Sequence, residues 1–308
     1  MTTQREEQTA GTTAAGTAAP RAGEGLAFTV VSLAPNLPGP LAARRLAELG
    51  GDVTKVEAPS GDPMAQYCPQ YYEEMTQTQS VVALNLKDSK GMTALQELLV
   101  DADILLTSQR PAALERMGLG WEDLHARFPR LSQVAIVGHA GEDADVAGHD
   151  LTYQADAGTL SRDVEGNPIM PRIPVADMAG SERAVVEAMA ALYETHITGE
   201  GTYREVALAG MAEVFGEPAR FGLMTDGLLG GSLPQYSLYP AAEGWVAVAL
   251  LEPHFVNGFM QAVAADELAS ELRDVSAQAL AELFATKPAQ WWEAWARKHG
   301  LPITAVKG

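Results

Sequence analysis

Apolar residues along the chain fall into short β-branched runs and into longer stretches with helical spacing. The short runs are typical of buried strands, whereas apolar residues that recur every three or four positions indicate helices. The predicted strands are 26–35, 52–57, 80–86, 103–108, 132–138 and 202–208, and the predicted helices between them are 38–51, 89–100, 121–128 and 178–198. Strands that alternate with helices predict an α/β fold built on a parallel sheet.

The pattern changes after the glycine-rich segment 226–235. Beyond it, two antiparallel strands are predicted around a turn at Glu243-Gly244, because apolar runs flank a glycine there. Four helices are predicted after these strands, at 252–264, 266–273, 276–286 and 288–299. We therefore expect a disordered arm (1–24), which has almost no large apolar residue, a large domain (25–225) and a small α+β domain (226–308).

Composition narrows the class of protein. The chain has 308 residues, of which 47% are hydrophobic and 20% charged, as in soluble globular proteins. A formal net charge of −19 makes nucleic acid an unexpected partner, since phosphate binding needs clustered Lys and Arg. No apolar run approaches the ~20 residues that span a bilayer. The N-terminus lacks the apolar core of a secretory signal.

Cysteine content indicates the compartment. Cys68 is the single cysteine of the sequence, which excludes an internal disulfide framework and a multi-cysteine metal site. We expect a cytoplasmic protein without a bound metal, and an incidental role for this thiol.

Three ionisable residues occur where the chain makes a tight turn or enters a helix. His149 lies in "AGHDLTYQADAG", Asp177 in "IPVADMAGSE" and Glu252 in "VALLEPHF". Taken singly, each is more simply explained as a residue at the start of a helix. Taken together, they predict acid–base chemistry, with an imidazole and a carboxylate on opposite sides of a carbon and a second carboxylate that orients the imidazole.

An ordered series of motifs resembles the class III CoA-transferase family, the carnitine dehydratase and bile-acid-inducible F type. The series opens with "LPGPLAARRLAELGGDVTKVEAPSGDP" and continues with "LNLKDSKGMTALQELLVDADILLTSQRPAALERMGLGWEDL". It then includes "YQADAGTL", "VADMAGSERAVVEAMAALYETHITGEGTYREVAL" and "GWVAVALLEPHF". The resemblance runs from about residue 26 to the C-terminus.

The resemblance implies roles for the three candidates. Asp177 matches the aspartate with which the family's transferases form covalent intermediates, whereas His149 and Glu252 match residues that its 2-methylacyl-CoA racemases add. A racemase would use His149 and Asp177 as the two bases of a proton transfer through an enolate, with Glu252 supporting His149. We expect backbone N–H groups of the helix after Asp177 to bind the enolate oxygen. The alternatives are a CoA transferase that uses Asp177, and a non-catalytic subunit or an enzyme for a carrier-bound acyl group.

The resemblance also implies a Rossmann-like large domain, a smaller domain and an interlocked dimer. A homodimer is therefore expected, and a heteromer is a further option. Coenzyme A would enter as part of an acyl-CoA substrate, without a prosthetic group. The residues expected to contact it are Lys55, Lys87, Arg110, Arg116, Gly148 and Tyr153, and the four cations among them could equally be ordinary surface charges.

The sequence departs from the family pattern at several places. Ala58, Gln77 and Gln79 occupy positions that are usually basic in the family, and "GHAGEDADVAGHD" is acidic where the family has a glycine-rich loop. The segment with which family members return to complete the large domain is short here, after "LPITAVKG". The missing basic residues and the acidic loop predict weaker contacts to the CoA phosphates, and together with the short return segment they motivate the third alternative.

Overall fold

A computed structural model of the chain describes residues 27–224, 227–269, 272 and 274–307, and the predicted arm 1–24 lies outside them. The chain divides into two compact units, which meet in sequence between Val214 and Phe215. This division precedes the glycine-rich segment at which the sequence predicts a boundary. It falls within a helix that spans Leu208–Arg220 and is named α9 below.

The first unit contains a six-stranded parallel sheet in the order β3-β2-β1-β4-β5-β6. Its strands are β1 (Phe28–Ser32), β2 (Gly51–Glu57), β3 (Ser80–Ala83), β4 (Ile104–Thr107), β5 (Ser132–Val137) and β6 (Tyr203–Ala207). The register of neighbouring strands pairs Val30 with Val53 and with Ile104. This order is that of a doubly wound Rossmann-like sheet, so the predicted α/β fold class is confirmed.

Helices cover both faces of this sheet. They are α1 (Pro38–Glu48), α2 (Met64–Tyr67), α3 (Pro69–Thr76), α4 (Ser89–Val100), α5 (Pro111–Arg116), α6 (Trp121–Arg127), α7 (Asp150–Asp156), α8 (Val175–Thr198) and α9 (Leu208–Arg220). One core joins the sheet to α1 and α8, and another joins it to α4, α5 and α6. Every residue of β4 and β5 is buried, which explains why their sequences are continuous rather than alternating apolar runs.

In its described residues, the second unit has a three-stranded antiparallel sheet in the order β7-β8-β9, with three helices besides the end of α9. The elements are β7 (Tyr236–Pro240), β8 (Trp245–Ala249), α10 (Pro253–Ala265), α11 (Ala277–Phe284), α12 (Ala289–His299) and β9 (Ile303–Ala305). The predicted turn at Glu243-Gly244 is confirmed, with Gly244 at φ 79°. Trp292 is fully buried in the core, where its indole N–H donates to the carbonyl of Phe284 at 2.9 Å.

Some elements differ from the sequence expectation. The helix predicted at 266–273 is wrong for residues 266–269 and 272, which are not helical. Glu267 adopts a left-handed backbone at φ 53°, which ends the preceding helix α10. The sequence analysis missed α2, α3, α5, α7, α9 and β9, most of which have eight residues or fewer. Among the described residues, no helix is both long and apolar enough to cross a membrane.

Candidate active site

A cavity of about 270 Å³ lies at the carboxyl edge of the first unit's sheet. Its walls come from the segments that follow β1, β4 and β5, including Asn36, Arg110 and Gly138. The chain leaves β1 toward α1 and leaves β4 toward α5, which cover opposite faces of the sheet. Crevices at such a switch point are the usual ligand sites of doubly wound sheets.

Asp177 lines this cavity from the first turn of α8. Burial of the side chain, and secondarily the negative charge of Asp150, raises the pKa of the Asp177 carboxyl to about 7. The positive end of the helix dipole would favour the ionised form, so burial and charge repulsion outweigh it here. A carboxyl group with this pKa is present as both acid and base at neutral pH.

Asp150 joins α7 to α8. Its Oδ1 accepts hydrogen bonds from the N–H groups of Ala176 (2.8 Å) and Asp177 (3.2 Å), and its Oδ2 accepts one from Gln154 Nε2 (2.6 Å). The N–H of Met178 donates to Pro174 O at 2.9 Å. The predicted enolate-binding role of N–H groups after Asp177 is therefore wrong for Met178, whose N–H is engaged with Pro174, and the two N–H groups before it are bound by Asp150.

His149 is an exposed residue at the N-cap position of α7, and it lines the same cavity as Asp177. The backbone is fixed by Thr152, whose Oγ1 accepts from the His149 N–H (3.1 Å) and donates to its carbonyl (2.8 Å). The structure thus brings His149 and Asp177, two of the three predicted chemical residues, to one cavity.

Tyr153 and Gly148, both predicted to contact the CoA substrate, also line this cavity. Tyr153 is 3% exposed, and its ring lies against two glycines. A Cβ added at Gly148 would lie 2.4 Å from Tyr153 Cε1, and one added at Gly138 would lie 2.4 Å from the hydroxyl oxygen. Burial and the charge of Asp177 raise the pKa of Tyr153, although Arg110 opposes this, so the hydroxyl keeps its proton at neutral pH.

A second cavity of about 380 Å³ lies beside the first and shares Pro35 and Gln109 with it. Lys87 lines the second cavity from the segment after β3. Ala58, which stands at a usually basic position, lines it too, so that position offers no charge. Together the two cavities extend along the carboxyl edge of the sheet, from the acid–base pair to Lys87.

Lys55 differs from the expected free cation. It is 1% exposed, and its Nζ pairs with Glu57 and, at 2.7 Å, with Asp62. The hydroxyl of Tyr72 donates to the same Glu57 carboxylate at 2.5 Å. Lys55 lines the second cavity, but its charge is already paired with two carboxylates, and its role in CoA binding stays a prediction.

The remaining three predicted residues occupy different parts of the structure. Arg110 lines the first cavity, whereas Arg116 is exposed in the last turn of α5, donates to Ala112 O at 3.0 Å and lines neither cavity. Glu252 belongs to the second unit, where it is exposed and precedes Pro253 at the start of α10. Its support of His149 stays a prediction. Within the described part of the chain, no group of three His, Cys, Asp or Glu side chains is arranged to hold a metal ion.

Asp150→Asn is expected to lower the pKa of Asp177, because it removes the nearby negative charge. The pKa should remain above its ordinary 3.8, since burial is the larger cause of the shift and is unchanged. A ¹³C NMR titration of the Asp177 carboxyl measures both values. Asp156→Asn, at the exposed end of the same helix, is the matched control and should leave the titration unchanged. An unchanged midpoint in Asp150→Asn would refute the charge effect.

The first unit is a doubly wound α/β fold with His149 and Asp177 at a cavity on its switch point, and sequence comparison gives the family. The chain matches the CoA-transferase family III over residues 27–308, and it belongs to that family. The family recognised from the sequence motifs is therefore confirmed. Relatives of the chain include racemases and transferases.

Individual relatives of the chain include both transferases and racemases. The chain is 30% identical to a succinyl-CoA–D-citramalate CoA-transferase of Chloroflexus aurantiacus, over 82% of this chain and 68% of the relative. It is 29% identical to human alpha-methylacyl-CoA racemase, over 80% of this chain and 66% of the relative. Among these and other curated relatives, the share of the relative's length that this chain spans ranges from 43% to 72%.

Solved structures support the fold. A CAIB/BAIF family protein from Brucella suis superposes with a TM-score of 0.76 at 23% identity, covering 91% of this chain and 83% of that chain. At this identity the similarity establishes the shared architecture, and the reaction has to be argued from the site.

Proposed function

We propose that this protein inverts the α-carbon of a 2-methylacyl-CoA thioester by a two-base proton transfer. The observation that carries the proposal is the carboxyl group of Asp177, with a pKa of about 7, in one cavity with His149. A transferase needs the carboxylate as a nucleophile, whereas a racemase needs a second proton-transfer group as well, and His149 supplies it. The human relative named alpha-methylacyl-CoA racemase supports the same reaction.

The reaction would proceed through an enolate. Neutral His149 removes the α-proton, the electron pair of the C–H bond moves into the enolate, and protonated Asp177 returns a proton to the opposite face. In the reverse direction the Asp177 carboxylate is the base and the His149 imidazolium is the acid. A pKa of about 7 keeps both forms of Asp177 populated at neutral pH, as a reversible reaction requires.

The two adjacent cavities suit a substrate with a reacting end and a long carrier. The acyl group would occupy the cavity of His149 and Asp177, and coenzyme A would extend past Gln109 toward Lys87. Coenzyme A enters as part of the substrate in this proposal. Arg110 lines the cavity of the reacting end, while Lys87 lines the cavity of the carrier end.

α-Proton exchange tests the proposal. In D₂O, a single enantiomer of a 2-methylacyl-CoA should acquire deuterium at C2 and lose its stereochemical purity, as followed by NMR and chiral chromatography. Both changes should disappear in His149→Ala and in Asp177→Ala. The matched controls His196→Ala and Asp101→Asn, at exposed positions outside this cavity, should behave as the unaltered protein does. Absence of exchange over several acyl chain lengths would reject the racemase.

CoA transfer is the second candidate, because a relative of similar identity is a CoA-transferase and Asp177 lies in the cavity. In that reaction the Asp177 carboxylate attacks the thioester carbonyl, CoA leaves as a thiolate, and the thiolate then attacks the resulting anhydride to form an aspartyl thioester and a free acid. Hydroxylamine would trap such an intermediate as a hydroxamate on Asp177. Trapping without α-proton exchange would favour the transferase over the racemase.

A further inference from the structure

Asn36 has an unusual backbone at the wall of the first cavity. Its φ is 65°, in the left-handed region that few residues other than glycine adopt. It follows β1 and lines the cavity together with His149 and Asp177. Asparagine is one of the few residues other than glycine that adopt this conformation readily, and unlike glycine it brings a side-chain amide to the cavity wall.

A buried carboxylate holds this backbone in place. Asp62, 2% exposed, accepts from the Asn36 N–H at 3.0 Å and from the Met64 N–H at 2.9 Å through Oδ1. Its other oxygen, Oδ2, accepts from Lys55 at 2.7 Å. The position of Asn36 is therefore set by an ion pair that is itself buried, which fixes the residue before any ligand arrives.

No residue in the described part of the chain forms a hydrogen bond with the side-chain amide of Asn36. Several other donors near this cavity are already engaged or are not held in place. Gln109 Nε2 donates to Leu33 O at 2.7 Å, and Asp150 accepts from the N–H groups of Ala176 and Asp177. Arg110 is exposed at the start of α5, where its long side chain is not fixed by a described contact.

We propose that the Asn36 amide donates a hydrogen bond to the thioester oxygen and stabilises the enolate that forms there. The inference rests on the proposed acyl-CoA function and assigns it a catalytic residue. A fixed donor is effective in this role because it needs no reorganisation when charge develops on the oxygen. Asp62 is the positioning residue, since it acts on the reaction only through the backbone of Asn36.

Two variants separate the side chain of Asn36 from its backbone. Asn36→Gly removes the amide but accepts the left-handed conformation, whereas Asn36→Ala removes the amide and strains the backbone. Both should lower kcat for α-proton exchange by about 10²–10³-fold, with a smaller change in KM. Asn36→Gly should keep the melting temperature of the unaltered protein, and Asn36→Ala should melt lower. Retention of full kcat by Asn36→Gly would overturn the inference.

A binding measurement covers the case in which the unaltered protein does not turn over a given substrate. Calorimetry compares an acyl-CoA thioester with its thioether analogue, which lacks the carbonyl oxygen. The unaltered protein should bind the thioester about 2–10-fold more tightly, and Asn36→Gly should lose this preference. Equal binding of both ligands by the unaltered protein overturns the role of Asn36 alone. Absence of binding to either ligand overturns the proposed function and the inference with it.

Discussion

Asp177→Asn is expected to lower turnover severely and to make the protein more stable above pH 7. The loss of one proton-transfer group costs about 10²–10⁴-fold in rate. The gain in stability follows from the raised pKa of Asp177, about 7 in the folded state against an ordinary 3.8. Between these values the folded protein binds more protons than the unfolded chain does, so its free energy of unfolding falls as the pH rises. An asparagine carries no charge and avoids this penalty.

The expected difference in the free energy of unfolding depends on pH. Asp177→Asn and the unaltered protein should have similar free energies of unfolding below pH 4, and the variant should be more stable by roughly 2–4 kcal/mol at pH 8. Denaturant unfolding at a series of pH values measures the difference. Asp101→Asn, at the exposed end of α4, should show no such pH-dependent gain. A variant that is less stable than the unaltered protein at pH 8 would show that the ionised carboxyl is not penalised.

Gly138→Ala is expected to destabilise the first unit by about 1–3 kcal/mol, because the added methyl overpacks a filled site. The new Cβ would lie 2.4 Å from the Tyr153 hydroxyl, while the next contact, to ring atom Cζ, is at 3.4 Å. Tyr153→Phe removes the hydroxyl, so most of the cost should disappear in the double variant. Chemical denaturation of the four proteins of this cycle measures the coupling between the two positions.

Gly148 supplies the contrast for that cycle. A Cβ added at Gly148 would lie 2.4 Å from Cε1 and 2.7 Å from Cζ of the Tyr153 ring. These ring atoms remain in phenylalanine, so Tyr153→Phe should not rescue Gly148→Ala. If Tyr153→Phe restored stability equally in Gly138→Ala and Gly148→Ala, the Tyr153 ring would have to move freely. That result would contradict its fixed position in the core.

The fold of the first unit could be predicted because its strands are short, apolar and separated by amphipathic helices. β4 and β5 are buried along their whole length, and their sequences show it. The short helices carry less information, since α2 has 4 residues and α5 has 6, too few to display a period. The helix predicted at 266–273, wrong for its described residues, has a helical composition, and the left-handed backbone of Glu267 interrupts it without a glycine.

The site was predictable in part. His149 and Asp177 were recognised from their motifs, and the structure places them at one cavity. The roles of Asp150, Asn36 and Lys55 depend on contacts between residues that are far apart in sequence, such as Asp150 with Ala176 and Asn36 with Asp62. A charged residue such as Lys55 is normally expected at the surface, and no local pattern shows that two carboxylates accompany it into the interior.

The buried pairing of Lys55 with Glu57 and Asp62 constrains how this sequence can diverge. Loss of Lys55 would leave two carboxylates without a counter-charge in the interior, and breaking a buried pair in this way typically costs about 3–5 kcal/mol. The three residues and Tyr72, which donates to Glu57, should therefore be inherited together or be replaced together by apolar residues. A protein engineer would have to treat them as a single unit, and a family alignment should show covariation among the four positions where any one of them changes.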